Sequence, residues 1–179
     1  MRKTATAVVL ATAALFSIFA SQAGACSGAS RQPGRQSLAE AQSTITCLIN
    51  KQRSRNHMRG VRGSAPLGAA AAEHSSAMAS ANFFAHEGED GTPVSRASNA
   101  GYLAGARAWG IGETLEWATG KAATPKAVVR GWMKSPEHRA VILSRRFRQV
   151  GVGVVDGSPV AGVDQGAETF TAVFGFRKG

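Results

Sequence analysis

The sequence predicts an α+β domain, helices first and strands last, and three observations lead to it. Apolar residues recur at helical spacing from Leu38 to Ile49 and again from Leu67 to Met78. Beyond Gln149 the period falls to two: Val150, Val152 and Val154 alternate with Gly151 and Gly153, and Phe170, Phe174 and Phe176 stand against Thr169, Thr171 and Val173. This order of elements favours segregated layers over a doubly wound parallel sheet.

Residues 1–25 read as a secretory signal peptide: Arg2 and Lys3, an apolar run from Ala5 to Ala20, then Ala23-Gly24-Ala25 as the cleavage pattern. The apolar run is too short and too rich in alanine for a membrane span, which needs about 20 apolar residues. Ala23-Gly24-Ala25-Cys26 loosely resembles a lipobox but lacks the large aliphatic residue three places before the cysteine. A lipid anchor at Cys26 is therefore the weaker reading, and a secreted, extracellular protein with no transmembrane segment the stronger.

The chain carries a formal charge of +10 and a pI near 10.8. Such a surface attracts polyanions such as cell-wall polymers, anionic lipids and nucleic acid, although the same charge also serves solubility alone. The two cysteines, Cys26 and Cys47, lie early in an exported chain, where a disulfide is expected. It would close a loop of about 20 residues and contribute roughly 3 kcal/mol; the spacing leaves open two unbridged thiols.

Residues 26–36 lack periodic apolar residues and read as a flexible lead-in to a single domain over 37–179. Ser37 and Glu40 form a capping box for a helix running to about Arg55, with Leu38, Ala41, Ile45, Leu48 and Ile49 on one stripe. A second helix, Leu67 to about Asn82, places His74 on its apolar face and is expected to pack against the first. Glu87 to Pro93 reads as a loop, which leaves His86 at a helix-to-loop boundary. Gly110 to Trp117 reads as a strand. Thr124-Pro125 and Ser135-Pro136 each read as a cap followed by proline at the first helical position, so two further helices start there. Glycines inside the strand at 150–154 predict the close approach of another backbone or side chain.

Four histidines bear on chemistry. His57 sits in a polar stretch and reads as a surface residue. His74 reads as a hydrogen-bonded core residue. His86 and His138 are the functional candidates, His138 because a helix start disfavours the imidazolium and keeps a ring nitrogen free. Glu113, in the Gly-flanked run Gly110 to Glu113, is the best carboxylate partner, with Glu116 second, because a charge in an apolar stretch is expensive unless paired. Spacing alone does not join His86, Glu113 and His138. Ser135 with His138 could suggest nucleophilic catalysis, but serine before proline reads as a cap. No H-E-x-x-H, C-x-x-C, P-loop or G-x-S-x-G occurs, which removes the common local routes to metalloprotease, zinc-finger, nucleotide and serine-hydrolase activity.

Taken in order, several motifs carry a resemblance: Asn50 with Arg53, Pro66-Leu67, Ala72 with His74 and Met78, Phe84-Ala85-His86, Asp90-Gly91 with Arg96, Gly101-Tyr102, Gly112-Glu113, Trp132 to Arg139, Val150 to Gly153, and Thr171 to Gly175. Over residues 44–176 the chain resembles the bacterial, SCP-like branch of the CAP superfamily, which comprises cysteine-rich secretory proteins, antigen 5 and pathogenesis-related proteins. The resemblance implies a three-layer α-β-α sandwich with a central antiparallel sheet. It also implies a cleft holding two His and one or two Glu, onto which His86, Glu113 and His138 fall, and which in some relatives binds a divalent metal such as zinc. The chain departs from the pattern at Thr114, where relatives commonly have Asn, and at Ser135, where eukaryotic members place a second Glu.

Two function classes follow. One is a non-enzymatic extracellular module that binds a wall polymer, a lipid or a protein through the cleft and the basic surface. The alternative is a metal-assisted hydrolase in which His86 and His138 hold the ion and Glu113 ligates it or acts as general base. A nucleic-acid or anionic-lipid surface built on Lys134, Arg139, Arg145, Arg146 and Arg148 is a weaker signal, since only Phe147 is interleaved for stacking.

Overall fold

Ser37 starts the first helix as its sequence dictates, its Oγ accepting from the Glu40 N–H at 3.2 Å while Glu40 Oε2 accepts from the Ser37 N–H at 2.8 Å. The computed structural model describes residues 26–163 and 165–179; the expected signal peptide lies outside the described residues. Helix α1 (Leu38–Arg55) buries Ala41, Ile45 and Ile49. Cys47 on this helix is bonded to Cys26, so the expected disulfide is present. The segment that follows Cys26 also holds two backbone contacts, Thr44 Oγ1 donating to the Ser27 carbonyl at 2.6 Å and the Lys126 N–H to the Ala29 carbonyl at 2.9 Å.

A two-residue strand β1 (Arg62–Gly63) leads into helix α2 (Ala65–Ala81), which buries Leu67, Ala70, Ala71, His74, Ser75 and Met78. It stops at Asn82, which turns left-handed at φ 53°. Helix α3 (Pro93–Asn99) is too short to show a periodic signal; Thr92 starts it in a second capping box with Ser95. Strand β2 (Ala108–Thr119) extends the run expected at 110–117 at both ends. Helices α4 (Pro125–Lys134) and α5 (Pro136–Ile142) start at Thr124 and Ser135, each side chain accepting a backbone N–H three residues on. Strands β3 (Gln149–Asp156) and β4 (Ala167–Lys178) complete the chain. No helix among the described residues is long and apolar enough to cross a membrane.

The strands lie in the order β1-β3-β4-β2. The β2–β4 and β3–β4 pairs are antiparallel, whereas the short β1 lies parallel to β3, which makes the sheet mixed at that edge. Val150, Val152 and Val154 of β3 and Phe170, Ala172 and Phe174 of β4 face the main core with Ile45 and Ile49 of α1 and Trp132 of α4. The alternate residues face α2 and α3, where Val173 packs with Leu67, Ala71, Ala97 and Tyr102.

Helix α2 thus occupies the sheet face opposite α1, and the expectation that the two helices pack together is corrected. The reason is in β3. A Cβ on Gly151 would lie 2.0 Å from Gly68 N and Leu67 C, and one on Gly153 2.3 Å from Ala71 C. The backbone of α2 rests directly on these glycines, the close approach their position predicts. Helices on both faces of one sheet give the three-layer α+β arrangement that the resemblance implies.

Candidate functional site

Strand alternation aims Glu113 toward α2 and α3. It stands opposite Val173 in the β2–β4 register, and Val173 belongs to the cluster on that face. The carboxylate is 2 % exposed and meets the guanidinium of Arg96, which is fully buried; Nη2 donates to Oε2 at 2.9 Å and to Oε1 at 3.2 Å. A carboxylate buried this deeply requires such a partner.

Arg96 is the hub of the site. Its Nη1 donates to the Gly91 carbonyl at 2.7 Å, its Nη2 to the His86 carbonyl at 3.0 Å, and Nη1 lies 3.4 Å from Asp90 Oδ2. The side chain therefore ties both ends of the loop between α2 and α3 to strand β2. Gly91 permits this path by adopting φ 97°, a conformation that side chains rarely take. In the sequence Arg96 is marked only as part of a motif; that it forms the counter-charge of Glu113 depends on the loop folding back over the sheet.

His86, on that loop, places Nδ1 2.8 Å from Glu113 Oε1 while its side chain stays 51 % exposed. An imidazole held this way donates Nδ1–H to the carboxylate and turns Nε2 toward solvent. His74 supports the floor. It is fully buried, with Nε2 donating to the Ala85 carbonyl at 2.9 Å and Nδ1 2.7 Å from Asp90 Oδ2. Both ring nitrogens are engaged, so His74 is the hydrogen-bonded core residue that its place on the helix stripe suggests.

His138 enters from the far side, at the start of α5, a helix that packs against β2. Its imidazole is held below the ordinary histidine range, first by burial and then by the charge of His86, with Glu137 opposing weakly. The direction is the one expected, and burial and a neighbouring imidazole contribute to it. The structure thus joins His86 to Glu113 directly and sets His138 near enough for His86 to act on its imidazole.

Ser135 Oγ accepts from the His138 N–H at 3.3 Å and donates to Glu137 Oε2 at 2.9 Å, the work of a cap. Glu116 lies on the opposite sheet face, against Gly131 of α4, where burial raises its carboxyl above the usual range. Thr114 is fully buried and its Oγ1 has no hydrogen-bond partner, so it braces no loop as an amide could. His57 is exposed, as its polar surroundings suggest. Behind the loop, a hollow of about 620 Å³ is lined by Phe83, Ala85, Glu87, Glu89 and Asp90.

Whether these residues suit a metal ion turns on the carboxylate. Each oxygen of Glu113 already accepts from Arg96, and Oε1 from His86 as well. Among the described residues no group of three or more His, Cys, Asp and Glu side chains is placed to hold a metal ion. The arrangement does not fit an ion ligated by His86, Glu113 and His138 together.

A model of the cysteine-rich secretory protein family, CAP, matches residues 47–174. Among solved structures, the chain is similar to an extracellular protein containing a SCP domain from Bacillus anthracis, at 26% identity and TM-score 0.63, covering 78% of this chain and 41% of that one. It is similar in fold to an outer surface protein from Borrelia burgdorferi, at 17% identity and TM-score 0.65, covering 80% of this chain and 97% of that one. A cysteine-rich secretory protein from Staphylococcus aureus shares the fold at 13% identity and TM-score 0.55, with 78% and 39% covered. The chain therefore spans well under half the length of the first and third of these. No curated protein matches it.

Proposed function

Because the chain belongs to the cysteine-rich secretory protein (CAP) family, we propose that it is an exported, non-enzymatic binding module. In this reading the cleft over Glu113 and the basic surface engage a component of the cell envelope: a wall polymer, a lipid or a protein. Family membership does not specify chemistry, so the reading rests on the site itself.

The observation that carries it is the clamp on Glu113. A general base needs a free lone pair within reach of a substrate proton. Three hydrogen bonds from Arg96 and His86 occupy this carboxylate, and at 2 % exposed it gives a substrate proton little access to what remains. The half-exposed His86 imidazole offers solvent a ring nitrogen that hydrogen-bonds a polar ligand without bearing charge while it is neutral. His138 favours that neutral state because its imidazole is held below the ordinary range.

The alternative, a hydrolase assisted by a divalent metal, requires Glu113 to leave Arg96. Uncovering one partner of a buried ion pair costs about 3–5 kcal/mol, which any ligation would first have to offset. Extracellular placement is supported by the Cys26–Cys47 bridge and by the secretory leader expected over residues 1–25.

The test is a titration of the protein with peptidoglycan fragments, envelope lipids and peptides, followed by the imidazole NMR signals of His86 and His138. Binding that perturbs both signals and weakens about tenfold in His138→Ala supports the reading. Hydrolysis that appears with micromolar zinc and vanishes in His138→Ala would overturn it.

A further inference from the structure

A group of cations, Arg59, Arg145, Arg146, Arg148, Arg177 and Lys178, gathers at one end of the sheet. There β4 ends, β2 begins and the 143–148 connection enters β3. Arg145, Arg146 and Arg148 from that connection meet Arg177 and Lys178 from β4 around a hollow of about 580 Å³, with Phe176 in its wall. A second hollow of about 180 Å³ adjoins it through Arg145 and Arg148 and adds Arg59 and His57. Among the described residues, no carboxylate lines either hollow and none of these cations forms an ion pair.

The guanidinium groups are partly fixed in advance. Arg148 Nη1 donates to the Arg145 carbonyl and, at 3.0 Å, to the Phe147 carbonyl. Arg177 Nη1 donates to the carbonyls of Tyr102 at 3.0 Å and Ala104 at 3.2 Å. Their remaining nitrogens stay available. Side chains ordered before a ligand arrives lose less entropy on binding. Arginine presents a planar fork that matches the oxygens of a phosphate, which lysine does not.

We propose that these two adjoining hollows form a binding track for a linear polymer of phosphodiesters, such as an anionic envelope polymer, along which successive phosphates meet Arg145, Arg146, Arg148 and Arg177. A concave path with a shared wall suits a chain better than a flat membrane. Phe176 and Tyr102 already face guanidinium groups, Arg146 at 4.9 Å and Arg177 at 5.7 Å, so a base would have to stack on Trp109, the exposed cross-strand neighbour of Arg177, and the single-stranded DNA arm below tests this. The inference deepens the binding reading above and rests on it only for the envelope location; it does not involve His86 or His138.

The experiment measures affinity of the purified protein for poly(glycerol phosphate) against salt. Arms with polyglutamate, single-stranded DNA and phosphatidylglycerol vesicles test the alternatives. Saturable binding that weakens with salt is expected. The variant Arg145→Ala/Arg146→Ala/Arg177→Ala should bind about tenfold or more weakly and lose about 2 from the log–log salt slope, at about 0.7 per phosphate contact. A charge-matched control, Lys51→Ala/Lys126→Ala/Arg130→Ala, removes cations from the groove between α1 and α4 and should stay within about twofold of the unaltered protein.

Equal loss in both triple variants would show that overall charge binds rather than the track, and would overturn the proposal. So would tighter binding to vesicles or DNA than to the polymer, or absence of binding at low salt. Failure here leaves the cleft titration untouched, and unchanged polymer binding in His138→Ala separates the two surfaces.

Discussion

Arg96 and Glu113 form a fully buried ion pair, Nη2 to Oε2 at 2.9 Å, beneath the half-exposed imidazole of His86. The pair holds the cleft loop to β2, because the same guanidinium also binds the carbonyls of His86 and Gly91. Arg96→Met would leave a carboxylate buried without compensation, at a cost of about 3–5 kcal/mol. Glu113→Gln keeps an acceptor for Arg96 and should cost less. Denaturant unfolding of the two variants checks the order; a loss below about 1 kcal/mol in Arg96→Met would show that the loop holds without this residue.

Two glycines a short distance apart in space should respond oppositely to the same added methyl group. Gly151→Ala drives a Cβ to 2.0 Å from the α2 backbone, which cannot yield as a side chain can. Overpacking of this kind costs about 1–3 kcal/mol and more where backbone must shift. Gly68, inside α2, has nothing within 4 Å of the corresponding position. Gly68→Ala should therefore stabilise by about 0.5–1 kcal/mol through the helix preference of alanine. Thermal melts of the two single variants measure both signs.

Much of this fold was legible because its signals are local. Ser37, Thr124 and Ser135 mark helix starts within one turn, and the alternation at 150–154 and 170–176 marks strands within a few residues. The face that α2 covers was not legible, since an amphipathic stripe says that a helix is buried and not against what. Gly151 and Gly153 hinted at a close approach without identifying the backbone that approaches. The cleft divides the same way. His86, Glu113 and His138 stood out through a boundary, an expensive charge and a motif order, whereas Arg96 did not, because an arginine becomes a buried counter-ion only through distant chain folding around it. The basic track was half visible, as Arg145, Arg146 and Arg148 are close in sequence while Arg177 and Lys178 reach them only through strand pairing.

The Cys26–Cys47 bridge closes a loop with a sequence separation of 21, and it anchors the segment preceding α1. Constraint of the unfolded chain accounts for roughly 3 kcal/mol at this loop length. Reduction, or the double replacement Cys26→Ala/Cys47→Ala, should lower stability by that amount without unfolding the sheet. A melting temperature unchanged by dithiothreitol would show that the N-terminal segment contributes nothing to the cooperative unit.

Glu168 supplies a dependence of stability on pH whose sign is opposite to that of an ordinary salt-bridged carboxylate. It is 2 % exposed and pairs across the β3–β4 register with Asp156. Burial, and then the like charge of Asp156, raise its carboxyl from 4.5 to about 7. The folded protein thus holds a proton that the unfolded chain releases between these values. Stability contributed by this group is complete below pH 4.5, declines as pH rises and is fully lost above pH 7. Glu168→Gln, which carries no charge in either state, should be the more stable protein by roughly 3 kcal/mol at pH 8 and nearly equal to the unaltered one at pH 4. Urea unfolding of both proteins across that range measures the difference. A gap that stayed constant with pH would show that Glu168 is ionised within the fold, and that Asp156 and Glu168 share their edge of the sheet as two charges.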